Sequence, residues 1–318
     1  MTSPAPNTSL AKSPPKIALC PQKAERHSLP VRASIEINSD CNMTCPNCSQ
    51  KHQPKELKLS LETRKHLFAG LAEMGVVEIN LRGGEPTIDP DFHATWEQAT
   101  TQYGFWVNMT TNGLALDFHS AQELLSDRRA SITVSLDGSG PMNAQLRGPG
   151  QYERVLDWLP RALQVYPDQL RVLSLLSEQN LHELPVLARS LAGMGLMHYD
   201  VTPLKRIGGA TSLKTGFVDF EGIKWLNAQL LGVAESFPHF APTVNCRYLW
   251  EGRGAQSVPT HVYTEYWFGA GMRVFADGRV GISQSVFLTK EVLSKARVPL
   301  TEPTIGTISQ DGRGIRQV

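Results

Sequence analysis

The chain is 318 residues long and 41% hydrophobic, with 31 Lys and Arg against 30 Asp and Glu for a formal charge of +1. That is enough apolar material for one large domain plus an extension. Neither sign of charge gathers in blocks and no apolar run approaches the roughly 20 residues that cross a bilayer, so the composition speaks against nucleic acid and membrane as partners.

Residues 1–29 are rich in Pro, Ser and Lys without periodicity and predict a flexible N-terminal arm, in which Cys20 lies. The opening MTSPAPNTSLAKSPPK has no apolar middle of the kind a secretory signal carries, which makes the cytoplasm the expected location. From Val31 onward short β-rich runs alternate with helical patterns. The first helix shows the logic: Ser60 is its expected N-cap, Leu61, Leu67, Phe68, Leu71 and Met74 fall mostly along one face, and Gly75 stops it. VVEINL follows as a strand with Val77, Ile79 and Leu81 on one side, ending at Gly83-Gly84.

The same reading places strands near 31–37, 76–81, 105–109, 131–136, 170–176 and 196–202, and helices near 60–74, 91–103, 118–126, 151–165, 181–192 and 219–235. Strands separated by helices pair in parallel with right-handed crossovers. Six such units are too few for a closed eight-stranded barrel, so the expected fold is α/β, an open partial (β/α)6 TIM-like barrel over residues 30–238. Residues 239–318, Gly-rich and short-stranded, predict a small α+β extension across the open end.

Three of the five cysteines, Cys41, Cys45 and Cys48, fall in CNMTCPNC just past the first strand. An odd count with such a cluster suits a metal site in a reducing compartment better than a disulfide framework. Two readings follow. His52 would complete a Cys3His zinc set and so a non-catalytic zinc-binding module. Alternatively, three thiolates would hold a four-iron four-sulfur (4Fe-4S) cluster and leave one iron open for a substrate or cofactor.

The loop CxxxCxxC in this position resembles the hallmark of the radical S-adenosylmethionine (SAM) enzymes. The resemblance continues through LRGGEPT after the second strand, MTTNGL after the third, ITVSLDG closing the fourth and LRGPGQYERVLDWL beyond it, then SEQNLHEL and TPLKRIGGA after the fifth and sixth. Each motif lies at the C-terminal end of a strand, where barrel active sites are built. It implies a cofactor pair of one 4Fe-4S cluster on Cys41, Cys45 and Cys48 and SAM, and a 5'-deoxyadenosyl radical that removes a substrate hydrogen. It also implies cofactor-binding roles for Gly83, Gly84, Glu85, Asn112, Ser135, Asp137 and Arg147. The residue reading beside it is plainer: Asn-Gly and Asp-Gly form turns, Arg147 forms a surface salt bridge, and Asn180 caps the fifth helix. Asn47 departs from the pattern, because family members mostly carry an aromatic residue before the third cysteine.

FGAGMRVFADGRVGIS and IGTISQDGRGI resemble the SPASM/twitch-like extension of one branch, yet Phe268 and Ser283 stand where that branch places auxiliary-cluster cysteines. The branch implies action on ribosomally made peptides, by epimerisation or cross-linking. The alternative is a small-molecule epimerase or dehydrogenase, acting for example on a sugar or an antibiotic. Cys246, in TVNCRYLW, is then either a buried small hydrophobe or the hydrogen donor of an epimerase. The expected partners are an electron donor such as flavodoxin or ferredoxin and, since no peptide-binding winged helix is recognisable ahead of the barrel, a separate peptide-recognition protein.

Overall fold

The computed structural model describes residues 32–51, 54–205, 208–212, 216–244, 271–274, 276, 279–282, 304–308 and 315–317. In chain order it runs β1 (Arg32–Glu36), α1 (Leu61–Glu73), β2 (Glu78–Arg82), α2 (Phe92–Glu97, continued by a π turn over Gln98–Gln102), β3 (Trp106–Thr111), α3 (Phe118–Leu124), β4 (Ala130–Ser135), α4 (Gly140–Leu146), α5 (Gln151–Val165) and β5 (Leu170–Leu176). There follow α6 (Leu184–Gly193), β6 (His198–Pro203), α7 (Phe220–Ser236), β7 (Ala241–Val244), β8 (Gly271–Val274), β9 (Arg279–Ile282), β10 (Thr304–Ile308) and β11 (Ile315–Gln317).

Strands β1 to β7 pair side by side and all in parallel, the α/β partial barrel expected from the six alternating units. Two differences concern its edges. Ala241–Val244, past the expected boundary at 238/239, joins β6 as a seventh parallel strand. On the other side β8 pairs in parallel with β1, and β9, β10 and β11 continue antiparallel from it. The described strands of the extension therefore prolong the sheet along β1, whose edge backbone groups need partners, where a layer across the opening was expected.

Strand alternation sorts the sheet into two faces. Ile35, Ile79, Leu81, Val107, Met109, Ile132, Val134, Val172 and Val201 lie fully buried beneath the helices. The opposite face is polar and cross-linked: Asn108 Nδ2 and Thr110 Oγ1 donate to Asn80 Oδ1, while Ser131 and Thr133 hydroxyls donate to Asn108 Oδ1.

Local structure follows the residues closely. Ser60 Oγ accepts from the Thr63 amide at 3.1 Å and caps α1, and Gly75, at φ +80°, ends it. Val77 departs from its expected place: it lies outside β2 and is 53% exposed. Helix α4 escapes periodicity because its seven residues open with Gly-Pro and complete barely two turns. Arg64, polar by type, is wholly buried in α1, where its guanidinium grips Asp89 at 2.7 Å and the Ile37 carbonyl at 3.1 Å. It joins α1 to the ends of β1 and β2. No helix among the described residues is long and apolar enough to cross a membrane.

Candidate functional site

The three cysteines lie on the loop that leaves β1, with Cys41 and Cys45 partly buried and Cys48 exposed. The base of the loop is closed by a bridge between Asn38 and Lys58, and Gln50 returns to bond the wholly buried Glu36 carboxylate of β1 at 2.5 Å. Polar groups already address the sulfurs: the Gln50 amide donates to Cys48 Sγ at 3.4 Å, and Cys45 Sγ donates to the Arg147 carbonyl at 3.5 Å. Burial raises the Cys41 thiol and pushes Cys45 up to about 11, with Arg147 opposing the shift at Cys45. Among the described residues no three His, Cys, Asp or Glu side chains converge closely enough to hold a single metal ion. His52, the fourth member of the zinc reading, lies outside the described residues.

Gly83 and Gly84 end β2 where this loop crosses it. A Cβ on Gly83 would meet the Asn38 side-chain and backbone oxygens, and one on Gly84 would fall on the Asp40 carbonyl. What the glycines admit here is the chain's own backbone, held by Gly84 N to Asn38 O at 3.0 Å and Glu85 N to Asp40 O at 2.7 Å. Glu85, 1% exposed, is committed as well. Its Oε1 accepts from Thr87 N, Thr87 Oγ1 and Thr111 Oγ1, and its Oε2 accepts from Asn112 N at 2.7 Å. Asn112 in turn donates to Asn42 Oδ1 at 2.7 Å and lies 3.9 Å from Cys41 Sγ. The ends of β2 and β3 thus meet the first half of the cysteine loop.

Asp137 and Arg147 pair with each other, Oδ2 to Nε at 2.8 Å, nearly out of reach of solvent. Burial opposes the Arg147 charge, but Asp137 and then Cys45 beside it prevail and raise its pKa. Behind this pair runs a buried amide network that sequence reasoning missed. Asn143 Oδ1 accepts from Asp137 N and its Nδ2 donates to Gln151 Oε1, while Gln151 donates to the carbonyls of Asn112 and Ser135. Asn180 does not cap a helix, since Glu183 precedes α6; it accepts from Ser177 N and donates to the carbonyls of Asp137 and Leu175. The ends of β3, β4 and β5 are tied together by three side chains that are 0% exposed. The sequence signal was slight: Asn143 and Gln151 flank the Gly148-Pro149-Gly150 turn, and Asn180 has no glycine near it.

Cys41, Cys45, Cys48, Gly83, Gly84, Glu85, Asn112, Ser135, Asp137 and Arg147 are therefore gathered at the C-terminal ends of β1 to β4. Cys246, Phe268, Ser283 and the N-terminal arm lie outside the described residues.

Residues 35–191, which run from the end of β1 past β5 and hold the three thiols of the first loop, match the model of the radical SAM superfamily. Residues 35–191 are therefore a domain of the radical SAM superfamily of enzymes, which use a 4Fe-4S cluster and SAM. Among curated proteins it is 28% identical over 170 residues to mycofactocin maturase MftC of Mycolicibacterium smegmatis, a stretch that is 52% of this chain and 43% of that one. It is 34% identical over 151 residues to the GTP 3',8-cyclase of Haemophilus influenzae, covering 45% of this chain and 44% of the cyclase. The chain spans less than half the length of either relative. Among solved structures the fold is similar to that of Streptococcus suis SuiB, crystallised with SAM (TM-score 0.66, 15% identity, 80% of this chain and 60% of SuiB) and with its precursor peptide SuiA.

Proposed function

We propose that the chain is an enzyme that cleaves SAM reductively at a cluster held by Cys41, Cys45 and Cys48, and that it modifies a ribosomally made peptide. The observation that carries this reading is the cysteine loop itself, pinned at Asn38 and Asp40 by the end of β2 and at Asn42 by the end of β3. Three free thiols on one loop suit a cubane, in which each thiolate takes a separate iron. When bound, the cluster and SAM together supply an electron and a hydrogen-abstracting radical.

The residues of the chain prepare the place. Arg147, fixed by Asp137, sets a buried positive charge beside Cys45 and favours its thiolate. Glu85 and Asn112 fix the spacing between the glycine turn and Cys41. The polar face around Asn80, Asn108 and Thr133 offers hydrogen-bonding side chains to a polar substrate. Peptide modification is favoured because MftC is named a maturase and SuiB was crystallised with a precursor peptide. The cyclase likeness favours a second reading, a small polar molecule as substrate. The test is anaerobic: dithionite-reduced wild-type protein with SAM should yield 5'-deoxyadenosine, and Cys45→Ala should yield none. Equal yields from the two proteins would overturn the proposal.

A further inference from the structure

A second glycine pair, Gly208-Gly209 in the turn after β6, lies against the other half of the cysteine loop, and none of the roles assigned so far uses it. Gly209 N donates to the Cys48 carbonyl at 2.8 Å. A Cβ on Gly209 would fall on the Pro46 carbonyl oxygen, and one on Gly208 on the carbonyls of Ser49 and Cys48. Gly208 also holds φ +53°, and Gly209 is buried. These obstacles are backbone atoms of the loop itself, which a change of rotamer cannot move aside.

We propose that Gly208 and Gly209 are positioning residues for the cluster: by admitting the backbone of residues 46–49 against the end of β6, they set where Cys45 and Cys48 present their sulfurs. Together with Gly83-Gly84 on the far side, they hold the loop between β2 and β6, strands that are not neighbours in the sheet. A side chain at 209 pushes Pro46 outward, and Pro46 lies between two of the three thiols. The proposal rests on reading those thiols as iron ligands.

The test compares Gly209→Ala with Gly232→Ala, a control in the middle of α7 where an added Cβ meets nothing within 4 Å. After anaerobic reconstitution, Gly232→Ala should match the wild type. Gly209→Ala should keep its far-ultraviolet circular dichroism but lose at least half of its iron, and the cluster that remains should show shifted electron paramagnetic resonance g-values and a shifted midpoint potential. A merely structural role would leave g-values and potential unchanged. Wild-type iron content, g-values and potential in Gly209→Ala would overturn the inference. Should that variant not fold, hydrogen exchange on wild-type protein decides: loading the cluster should slow exchange in the peptide holding residues 208–212 together with the one holding 41–51. A change confined to 41–51 would refute the coupling. Failure of the wild type itself to bind iron would instead remove the reading on which the inference rests.

Discussion

Replacing Glu85 by Gln keeps the shape of the side chain and removes its charge. Its Oε1 accepts three hydrogen bonds, from Thr87 N, Thr87 Oγ1 and Thr111 Oγ1, so the amide oxygen takes that side and the NH2 group must face Asn112 N. Two donors then oppose each other in a place that is 1% exposed. A hydrogen bond to a charged acceptor contributes about 1.5–3 kcal/mol, and leaving a buried donor unpaired costs about as much again, so Glu85→Gln should lower stability by about 3–6 kcal/mol. The assay is urea denaturation of cluster-free protein, read as a fall in the midpoint at unchanged slope. Because Asn112 carries the disturbance to Asn42 and Cys41, the variant should also take up less iron, and SAM binding should not be the only property affected. A loss below about 0.5 kcal/mol, the size of an ordinary surface substitution, together with wild-type iron content, would show that Glu85 does not hold the loop in this way.

The thiol of Cys45 has a folded pKa of about 11 against an ordinary 9.0, chiefly through burial. The neutral thiol is thus favoured by folding, so its contribution to the stability of cluster-free protein is present below pH 9.0 and is lost as the pH rises toward 11. Urea midpoints measured from pH 8 to 11 should fall less steeply in Cys45→Ala, and parallel curves would contradict this. The hydrogen-donor reading of Cys246 predicts that Cys246→Ala still consumes SAM but yields no inverted product, and that the wild type in heavy water places one deuterium on the inverted carbon. Normal turnover by the variant, or a product two hydrogens lighter than the substrate, would remove that role. His198 is held below its ordinary pKa by burial and then by Arg171, so its NMR titration should lie below pH 6.5, whereas an upward shift would place it outside the environment described.

The barrel was legible because its order rests on local signals. Period-2 and period-3.6 patterns, Ser60 at a helix start and Gly75 at its end each act within a few residues. Cys41, Cys45 and Cys48 were legible for the same reason, being close in sequence. Helix α4 was too short to leave a period, and the pairing of β8 with β1 joins residues far apart in the chain. Neither could be read from a window of neighbours. The glycines carried an ambiguous signal: Gly84 and Gly209 announce a close approach, but only the fold reveals that the approaching group is the cysteine loop. Asn143, Gln151 and Asn180 resemble ordinary loop and helix residues until β3, β4 and β5 bring their carbonyls together.

Counting iron and acid-labile sulfide in anaerobically reconstituted protein decides whether one cluster sits on the three thiolates with one iron left open. About four irons per chain are expected, as a single cubane requires, and essentially none when Cys41, Cys45 and Cys48 are all changed to Ala. Bound zinc in place of iron, a count near eight, or iron retained by the triple variant would contradict this arrangement.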